Sequence, residues 1–433
     1  MELIGPYLFV PFVVLLVLGV PIAFSLGLAS AFFLFFSGAT IPRIVLVTEM
    51  YTAVDSFALL ALPMFVLTGE LLNRCQLTER LIDVARLLVG WIKGGLAHVN
   101  VVTSMFFAGI SGSVLADAAS IGPILIPAMI RERYPRAFSA AITGASAVIG
   151  AIIPPSIPLI IVGGQLQISV GGLFAAGLVP GILVGLFLMI VSWFICWRND
   201  YGTVHRFEEL APATGNAIKA VPALLIPVFI LWGILSGVFT PTEAGAAAVA
   251  YTIVIGTVLY RTLTRSKLVA SLIATARVTA SVLLILAAAV VFSRLLTFYR
   301  VPQEILGMLL AITDNRVLLL LVIIAFFLVV GTFMDALANM IILGPLLMPI
   351  AVDGLGMHPL QFGVFLMVGL LLGVLTPPMG LVLFVVAPVA KVSIERLSLA
   401  VIPFLAAELA VLLLIVFVPD VTLALPRAFG LIE

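Results

Sequence analysis

The sequence predicts an all-α integral membrane protein in which about ten transmembrane helices and two re-entrant helical hairpins form two inverted repeats. Three observations carry this prediction. Of the 433 residues, 63% are hydrophobic and 9% are charged, so most of the surface suits lipid rather than water. A motif rich in glycine and proline occurs twice at a constant spacing, and the lysines and arginines concentrate in some loops and avoid others.

The repeated motif spans Gly109–Pro127 and returns 222 positions later as Gly331–Pro349. A pair of prolines follows each copy, Pro154-Pro155 in the first half and Pro377-Pro378 in the second. The two halves, residues 1–219 and 220–433, are therefore predicted to be structural siblings. In an apolar chain, interrupted segments at matching positions of two halves are typical of transporters that bind their solute between broken helices.

About ten apolar segments are long enough, alone or with their flanks, to cross a bilayer as helices. Their hydrophobicity lacks the period of two that barrel strands require. The crossings are predicted at Pro6–Gly19, Ile22–Gly38, Phe57–Leu72, Ala137–Val162, Leu173–Trp197, Pro222–Leu235, Ala244–Tyr260, Val278–Phe298, Phe362–Ala390 and Leu399–Val418. Two alternatives stay open near the start. Gly19-Val20-Pro21 is either a turn or a kink, and Gly38–Asp55 is either a connection or an amphipathic arm at the interface.

Loops rich in lysine and arginine are expected on the cytoplasmic side of the membrane. These are Arg74–Lys93, Arg131–Arg136, Arg198–Lys219, Arg261–Arg277 and Lys391–Arg396. The loops expected outside are Pro42–Asp55, Gln165–Gly172, Gly237–Glu243, Arg300–Arg316 and Val352–Gln361. An even number of crossings then places both chain termini outside.

This assignment makes two apolar segments return to the face that they enter. Residues 94–130 have both ends inside, because the flanking Lys93 and Arg131 are cytoplasmic. Residues 317–350 have both ends outside. Each segment is therefore predicted to be a re-entrant hairpin, and because the hairpins enter from opposite faces, the repeats are inverted.

The hairpin tips and the Pro-Pro breaks interrupt helices at membrane depth, where an unpaired backbone group costs several kcal/mol unless it binds something or lines a wet cavity. Each break, at 137–162 and at 362–390, frees carbonyl groups, because proline has no N–H and clashes with the carbonyl four residues back. Carbonyl, hydroxyl and carboxylate oxygens suit Na⁺, while helix N-termini favour an anion. We therefore expect two related sodium sites around a central substrate site.

The residues expected at the sodium sites lie at the two tips and the two breaks. They are Ser111, Gly112, Ser113, Ile153, Pro154 and Ser156 in the first half, and Gly331, Thr332, Asp335, Leu375, Thr376 and Pro377 in the second. Asp117, Asn339 and Gly380 are expected to line the substrate cavity. Asp117 and Asp335 could instead form a structural pair or a proton relay, since acids within a membrane are usually functional.

Other functional classes find less support in the sequence. A net charge of +1 without a basic run gives no reason to expect nucleic acid. Cys75 and Cys196 are too few for a disulfide framework, and His98, His205 and His358 are scattered, the last two in expected loops, so neither a metal centre nor an organic cofactor is expected. A membrane-embedded enzyme is disfavoured by the absence of an HExxH or paired-aspartate motif, and a channel by the inverted, interrupted hairpins.

At these motifs the sequence resembles the large membrane subunit of tripartite ATP-independent periplasmic (TRAP) transporters, the DctM-like family. The matching stretches run in order along nearly the whole chain. They are Leu18–Phe24, Leu62–Phe65, Gly69–Asn73, Gly109–Pro127, Gly150–Ser156, Phe239–Gly245, Gly331–Pro349 and Gly373–Gly380.

The resemblance implies a Na⁺-coupled, elevator-type secondary transporter in a bacterial inner membrane. Its substrate would be a carboxylate, such as a C4-dicarboxylate or sialic acid, delivered by a periplasmic binding protein. It would act with a small four-helix membrane subunit on a separate chain, and not as an enzyme. The alternative is a stand-alone cation-coupled symporter or antiporter of organic anions that needs no binding protein.

Overall fold

The structure, a computed structural model, describes residues 3–38, 40–75, 77–203, 214–313 and 315–432. Within these residues the chain is helical, as predicted. The α-helices in chain order are α1 Val10–Val17, α2 Ile22–Phe36, α3 Val45–Val54, α4 Ala61–Arg74, α5 Leu77–Val89, α6 Gly95–Ser111, α7 Val114–Arg131, α8 Arg136–Ile152, α9 Ile157–Leu166, α10 Val170–Asn199, α11 Thr214–Leu235, α12 Pro241–Val254, α13 Arg265–Phe298, α14 Val301–Ile312, α15 Arg316–Phe333, α16 Ala336–Met348, α17 Pro359–Leu375, α18 Leu381–Ala390, α19 Ile394–Phe417 and α20 Asp420–Ala428.

Short turns of other helical types extend four of these helices. A π-helical turn, Gly5–Phe9, leads into α1, and a 3₁₀ turn, Phe57–Leu60, leads into α4. Two further π turns, Ile255–Leu259 and Pro349–Gly354, continue α12 and α16.

Nine helices of the described residues are long and apolar enough to cross a membrane, or ten if the bent pair α8 and α9 is one span. This agrees with the predicted number, although the nine include α7, α15 and α16 of the two hairpins. The centre of the molecule is formed by α8 and α17, whose residues Phe138–Ile152 and Leu360–Leu375 are buried throughout.

The segment Gly19-Val20-Pro21 is a turn and not a kink. The rings of Tyr7 and Phe32 stack with centroids 6.3 Å apart, which requires the chain to double back between α1 and α2. Both helices are slightly shorter than predicted. The 13 residues of Gly5–Val17 and the 15 of α2 each span roughly 20 Å, which is less than a hydrocarbon core about 30 Å thick.

Three stretches expected to be loops are largely helical. Arg74–Lys93 contains α5, Arg300–Arg316 contains α14, and α13 begins at Arg265 within the expected loop Arg261–Arg277. Helix α5 is amphipathic, and the 34 residues of α13 exceed what one crossing needs. A count of charges alone predicts loops at such segments. Within Arg198–Lys219, residues 204–213, including His205, lie outside the described residues.

The segment Gly38–Asp55 contains an arm, helix α3, which packs on α13 with an ion pair of 3.6 Å between Glu49 and Arg294. A second element was not expected at all: α20 follows the last crossing and packs on α10 and α17. The other connections agree with the predicted ones to within a few residues.

The two halves match helix by helix from α6 to α10 and from α15 to α19. For example, α7 and α16 begin at residues 114 and 336, and α10 and α19 begin at 170 and 394. Each half therefore contains a helical hairpin, a broken helix and a long final helix, in that order.

The matching helices run in opposite directions. Arg136 at the start of α8 donates a hydrogen bond of 3.3 Å from Nη1 to the carbonyl of Ala390 at the end of α18. At the other side of the molecule, Leu360 at the start of α17 packs on Gly172 at the start of α10. The broken helices α8–α9 and α17–α18 are therefore antiparallel, and the hairpins that precede them enter from opposite sides, as predicted.

Candidate functional site

Both hairpin tips and both broken helices reach one open cavity of about 100 Å³, which we call the central cavity because it lies between elements of both halves. Its lining comes from α7, α8, α9, α13, α16 and α17 and the tips between the hairpin helices. The lining residues are Gly112, Ser113, Val114, Leu115, Ala151, Ile157, Pro158, Val278, Asp335, Ala336, Leu337, Leu371 and Val374. The sequence motifs that are far apart along the chain thus converge on a single place.

The tip of the first hairpin lies against the first helix break. Gly112 has a left-handed backbone with φ of 59°, and a Cβ atom there would lie 3.0 Å from the backbone nitrogen of Ile157. Glycine is therefore required twice over, for the turn and for the close approach. The next residue, Ser113, caps α7 by accepting a hydrogen bond of 3.5 Å from the Ala116 amide, and Ser111 accepts one of 3.4 Å from the Ser113 amide.

The tip of the second hairpin carries an acid at the equivalent position. Asp335 caps α16, with Oδ2 accepting hydrogen bonds from the amides of Leu337 at 3.0 Å and Ala338 at 3.4 Å. Ser113 and Asp335 are 222 residues apart, like the motifs that contain them, and both line the cavity. The inverted repeat thus brings one hydroxyl and one carboxylate to the same cavity.

Behind the second tip, three predicted residues hold the backbone. Asn339 is buried, and its Nδ2 atom donates to the carbonyls of Val330 and Met334 at 3.4 Å each. The Thr332 hydroxyl donates to the Leu328 carbonyl at 2.6 Å, and Gly331 lies in backbone contact with α17. Asn339 therefore braces the tip from behind, and its expected place at a substrate cavity stays a prediction.

The first break occupies residues 153–156, between helices that meet at an angle of 43°. The Pro154-Pro155 bond is cis, as is Pro377-Pro378 in the second break. Ser156 caps α9, accepting from the Leu159 amide at 3.3 Å and donating to the Ala151 carbonyl at 2.5 Å. Although each break is expected to free carbonyl groups, the Ala151 carbonyl is paired, because the Ser156 hydroxyl replaces the missing amide.

The second break is more open to the surroundings than the first. Ile153 and Ser156 are buried, whereas Pro377 is partly exposed and Met379 is 49% exposed. The Thr376 hydroxyl donates to the Leu372 carbonyl at 2.8 Å, and the Thr376 carbonyl accepts from the Gly380 amide at 3.1 Å. That carbonyl is thus also paired. Gly380, at the start of α18, supports the break through this bond, and its expected place at a substrate cavity stays a prediction.

Asp117 does not line the cavity either. Its side chain is 0% exposed, and Oδ2 lies 2.8 Å from the position that a Cβ atom on Gly150 would take. Since Leu115 faces the cavity, a residue two positions later points about 200° away around the helix. The expected substrate role of Asp117 stays a prediction, and its side chain points away from the central cavity.

A buried polar cluster, which sequence reasoning missed, joins α6 to α8. Asn100 donates to the Thr143 hydroxyl at 2.6 Å and accepts from Ser146 at 3.0 Å, and Ser104 donates to Ser146 at 3.2 Å. The signal that could have found it is the spacing of small polar residues, four apart on α6 and three apart on α8. The cluster fixes the base of the first hairpin to the broken helix.

Two of the larger hollows lie elsewhere. One of about 570 Å³ is an apolar groove on α11 and α12, lined by Trp232, Tyr251 and their apolar neighbours, and its surface suits lipid chains. The other, about 350 Å³ and more polar, lies between the ends of α9 and the starts of α10 and α12, and includes Gln167 and Thr240. Neither contains a hairpin tip or a helix break, so the central cavity remains the candidate site.

The central arrangement can hold both signs of charge. A carboxylate and a hydroxyl can bind a hard cation, since each oxygen accepts more contacts than its cap uses. The starts of α7, α9 and α16 point backbone amides toward the same region, and helix N-termini attract anions. A cation and an organic anion can therefore be bound side by side.

Comparison with known proteins supports this assignment. Residues 9–421 match the family model described as the tripartite ATP-independent periplasmic transporter, DctM component. The chain is 40% identical over 415 residues to the sialic acid TRAP transporter large permease protein SiaM of Vibrio cholerae, covering 96% of each protein. It is 39% identical to the isethionate TRAP transporter permease protein DctMQ of Oleidesulfovibrio alaskensis, covering 98% of this chain and 66% of that protein.

Among solved structures, the Alcanivorax borkumensis YdaH transporter has a similar fold. The TM-score is 0.60 at 16% identity, covering 86% of this chain and 87% of that one. At this identity the likeness concerns the fold alone.

Proposed function

This chain belongs to the DctM component family of tripartite ATP-independent periplasmic transporters, and from that premise we propose that it is the translocating subunit that imports a carboxylate by coupling to Na⁺. The observation that carries the proposal is the meeting of two inverted hairpin tips and two helix breaks at one central cavity. Solute sites at the interface of inverted repeats are typical of secondary transporters.

The chemistry of the cavity supports coupling to a cation. Asp335 supplies a carboxylate at one tip and Ser113 a hydroxyl at the other, and oxygen ligands of this kind suit Na⁺. We propose that the first sodium ion is held by the tip at 111–113 and the break at 153–156. The second is held by the tip at 331–335 and the break at 375–377.

The proposed substrate is an organic acid of the C4-dicarboxylate or sialic acid kind. The relatives named for sialic acid and isethionate are permeases for organic anions, which supports this class. Since the cavity lies between elements from both halves, movement of the hairpins and broken helices as one body relative to α13 would carry it across the membrane, as in an elevator mechanism.

Two partners complete the proposed transporter. The first is a periplasmic binding protein that delivers the substrate, and the second is a small membrane subunit on a separate chain. The family description, the DctM component of a tripartite transporter, supports partners of this kind. The proposed location is the bacterial inner membrane.

The proposal is tested by uptake of labelled carboxylates into proteoliposomes that contain this chain and its co-encoded small subunit. An inward Na⁺ gradient is applied with and without the co-encoded binding protein. Uptake that requires both Na⁺ and the binding protein is expected. Uptake without the binding protein would instead identify a stand-alone symporter or antiporter, and uptake that ignores Na⁺ would contradict the proposed coupling.

A further inference from the structure

Two helices that begin at the central cavity run side by side away from it. Helix α9 begins at Ile157, which lies against the first hairpin tip, and α16 begins directly after Asp335 of the second tip. Farther along, Leu166 of α9 contacts α16, with its Cδ2 atom 3.4 Å from the position that a Cβ atom on Gly344 would take. Each half of the molecule therefore contributes one of these two neighbouring helices.

One side-chain hydrogen bond joins α9 to α16. The Nε2 atom of Gln165, near the end of α9, donates to the main-chain carbonyl of Ile341 within α16. That carbonyl lacks its usual donor in the helix, because the residue four positions later is Pro345, which has no N–H. The glutamine of one half thus supplies the donor that a proline of the other half lacks.

The corresponding pair of helices has no equivalent of this bond. Helix α7 has Pro123 at the position of Pro345, 222 residues earlier, and it packs on α18. All ten residues of α18, Leu381–Ala390, have apolar side chains, so none of them can donate a hydrogen bond to α7. The bond made by Gln165 is therefore a specific feature of the second hairpin and not a general consequence of the repeated fold.

The other end of the Gln165 amide indicates that this residue does more than fill space. Its Oε1 atom is buried and has no hydrogen-bond partner within the described part of the chain. An unpaired buried acceptor is unfavourable, and an apolar side chain of the same size would avoid it. The bond to Ile341 therefore explains a glutamine at this place better than packing does.

The bond lies close enough to the proposed ion sites to position their parts. Ile341 lies six residues after Asp335, and Gln165 lies eight residues after Ile157, which correspond to about 9 Å and about 12 Å along the two helices. Asp335 belongs to the second proposed sodium site, and the break before Ile157 belongs to the first. A bond between α9 and α16 therefore holds parts of the two sites at a fixed separation.

We propose that Gln165 is a positioning residue, which holds Asp335 in place for Na⁺ by fixing α16 on α9. Without the bond, the second tip has more conformational freedom, and the cost of ordering it lowers the affinity for Na⁺. This inference rests on the proposed function, because it assumes that Na⁺ binds at the second tip. It assigns a role in ion binding to a residue outside the lining of the central cavity.

The test measures Na⁺ binding to the purified complex of this chain and its small subunit. NaCl replaces choline chloride at constant ionic strength, and the apparent Kd for Na⁺ is obtained from the rise of the Tm with Na⁺ concentration. Gln165→Met keeps the length of the side chain and removes the donor. It should raise the Kd about fivefold, the scale of one hydrogen bond, and an unchanged Kd would overturn the inference.

The matched control is a second glutamine at the end of the same helix. The Nε2 atom of Gln167 donates at 2.8 Å to the carbonyl of Gly164 in its own helix, so it joins no second element. Gln167→Met should therefore leave the Kd for Na⁺ unchanged. Equal increases in Gln167→Met and Gln165→Met would show that the bond to α16 is not the cause, and would overturn the inference.

Substitution of the proline separates positioning from simple pairing of the carbonyl. Pro345→Ala restores a backbone amide to the Ile341 carbonyl, which can accept two hydrogen bonds. In this background Gln165→Met should lower the Tm much less, because the carbonyl stays paired. The Kd for Na⁺ should still rise about fivefold relative to Pro345→Ala alone, because the bond between the helices is missing. A Kd equal to that of Pro345→Ala would make the glutamine merely structural and overturn the inference.

A second variant covers the case in which Gln165→Met does not fold. Gln165→Asn keeps the amide but is one methylene group shorter, so it cannot reach Ile341 and should raise the Kd for Na⁺ to a similar extent. An unchanged Kd in this folded variant would overturn the inference and leave the proposed function intact. A wild-type complex whose Tm and uptake both ignore Na⁺ would overturn the proposed coupling, and this inference with it.

Discussion

Gly331 in the second hairpin and Gly373 in the second broken helix are in direct backbone contact, with the Gly331 Cα atom 2.5 Å from the position that a Cβ atom on Gly373 would occupy. The hairpin can approach α17 this closely because neither residue has a side chain. The contact fixes the tip, which lies only a few residues further along the chain, relative to the break at Thr376 and Pro377.

The first prediction concerns this contact. Gly373→Ala places a methyl group on backbone that cannot rotate away, so we expect destabilisation by roughly 2 kcal/mol or more and loss of uptake. Thermal unfolding and proteoliposome uptake measure both. Gly307→Ala is the control, because nothing lies within 4 Å of a Cβ atom there, and it should be neutral or slightly stabilising. A Gly373→Ala variant that matches the control would show that the helices can separate at no cost.

The second prediction concerns the acid at the cavity. Asp335→Asn keeps the size of the side chain and removes its charge, so the Na⁺ concentration for half-maximal uptake should rise about tenfold or more. Asp353→Asn removes an exposed carboxylate outside the central cavity and should not change Na⁺ dependence. Equal Na⁺ dependence in wild type and Asp335→Asn would remove this carboxylate from the proposed sodium site.

The third prediction concerns the two helix breaks. Pro154→Ala and Pro377→Ala each restore an amide and relieve a clash with the carbonyl four residues back. The backbone of the break should therefore change, even though Pro155 and Pro378 remain. We expect Na⁺ dependence of uptake to be impaired more than thermal stability. Pro403→Ala, within α19 and away from the cavity, is the control. Unchanged Na⁺ affinity in both variants would contradict the sodium assignment.

The hairpins and breaks could be predicted from the sequence because they depend on glycine and proline, whose backbone constraints act locally. Gly112 needs a left-handed backbone and Pro154 cannot continue a helix, whatever packs around them. The repetition of these motifs 222 residues apart predicts two related halves, and the distribution of lysine and arginine among the loops predicts that the halves are inverted.

The remainder depends on contacts that a single sequence does not display. Val278 lines the cavity, but nothing distinguishes it from other valines of an apolar helix. The sequence predicts Asp117 at a substrate cavity because acids within a membrane are usually functional. In the structure, the rotation of α7 about its axis turns this side chain toward Gly150. The charged residues of α5 recur at helical spacing, and without knowledge of the buried face they predict a polar loop instead of an amphipathic helix.

The fourth prediction concerns the base of the first hairpin. Lys93 Nζ lies 2.6 Å from Asp200 Oδ1 at the end of α10, and this hydrogen bond and charge lower the pKa of Asp200. Since the folded pKa lies below the unfolded one, the pair contributes stability above the usual carboxyl pKa and loses it as pH falls through the lowered value.

The measurement is thermal unfolding of wild type and Asp200→Asn between pH 7 and pH 3. We expect a small Tm difference at pH 7, because the carboxylate is exposed to solvent, and we expect it to shrink at acid pH. A difference that stays constant with pH would show that the substitution acts through packing and not through the charge of Asp200.

The fifth prediction concerns the sides of the membrane on which the start of α19 and helix α20 lie. Burial and then the charge of Arg427 in α20 lower the pKa of His358, which directly precedes α17. Helix α20 therefore lies on the side of the membrane where α17 begins. Arg396 in the first turn of α19 lies close along the chain to Ala390, which contacts Arg136 at the start of α8. Because α8 and α17 are antiparallel, α8 begins on the side opposite to the start of α17, and Arg396 therefore lies on that opposite side. The positive-inside rule makes the Arg396 side cytoplasmic and the α20 side periplasmic.

Labelling of single cysteines in spheroplasts with a membrane-impermeant maleimide tests this orientation. The native Cys75 and Cys196 are buried, so background labelling should be low. Phe429→Cys replaces a side chain that is 47% exposed and should be labelled from outside, whereas Arg396→Cys should be labelled only after the membrane is permeabilised. The reverse pattern would place the first hairpin on the periplasmic side. In that case the assignment of the lysine- and arginine-rich loops to the cytoplasm would be wrong, and the inverted arrangement of the two halves would be unaffected.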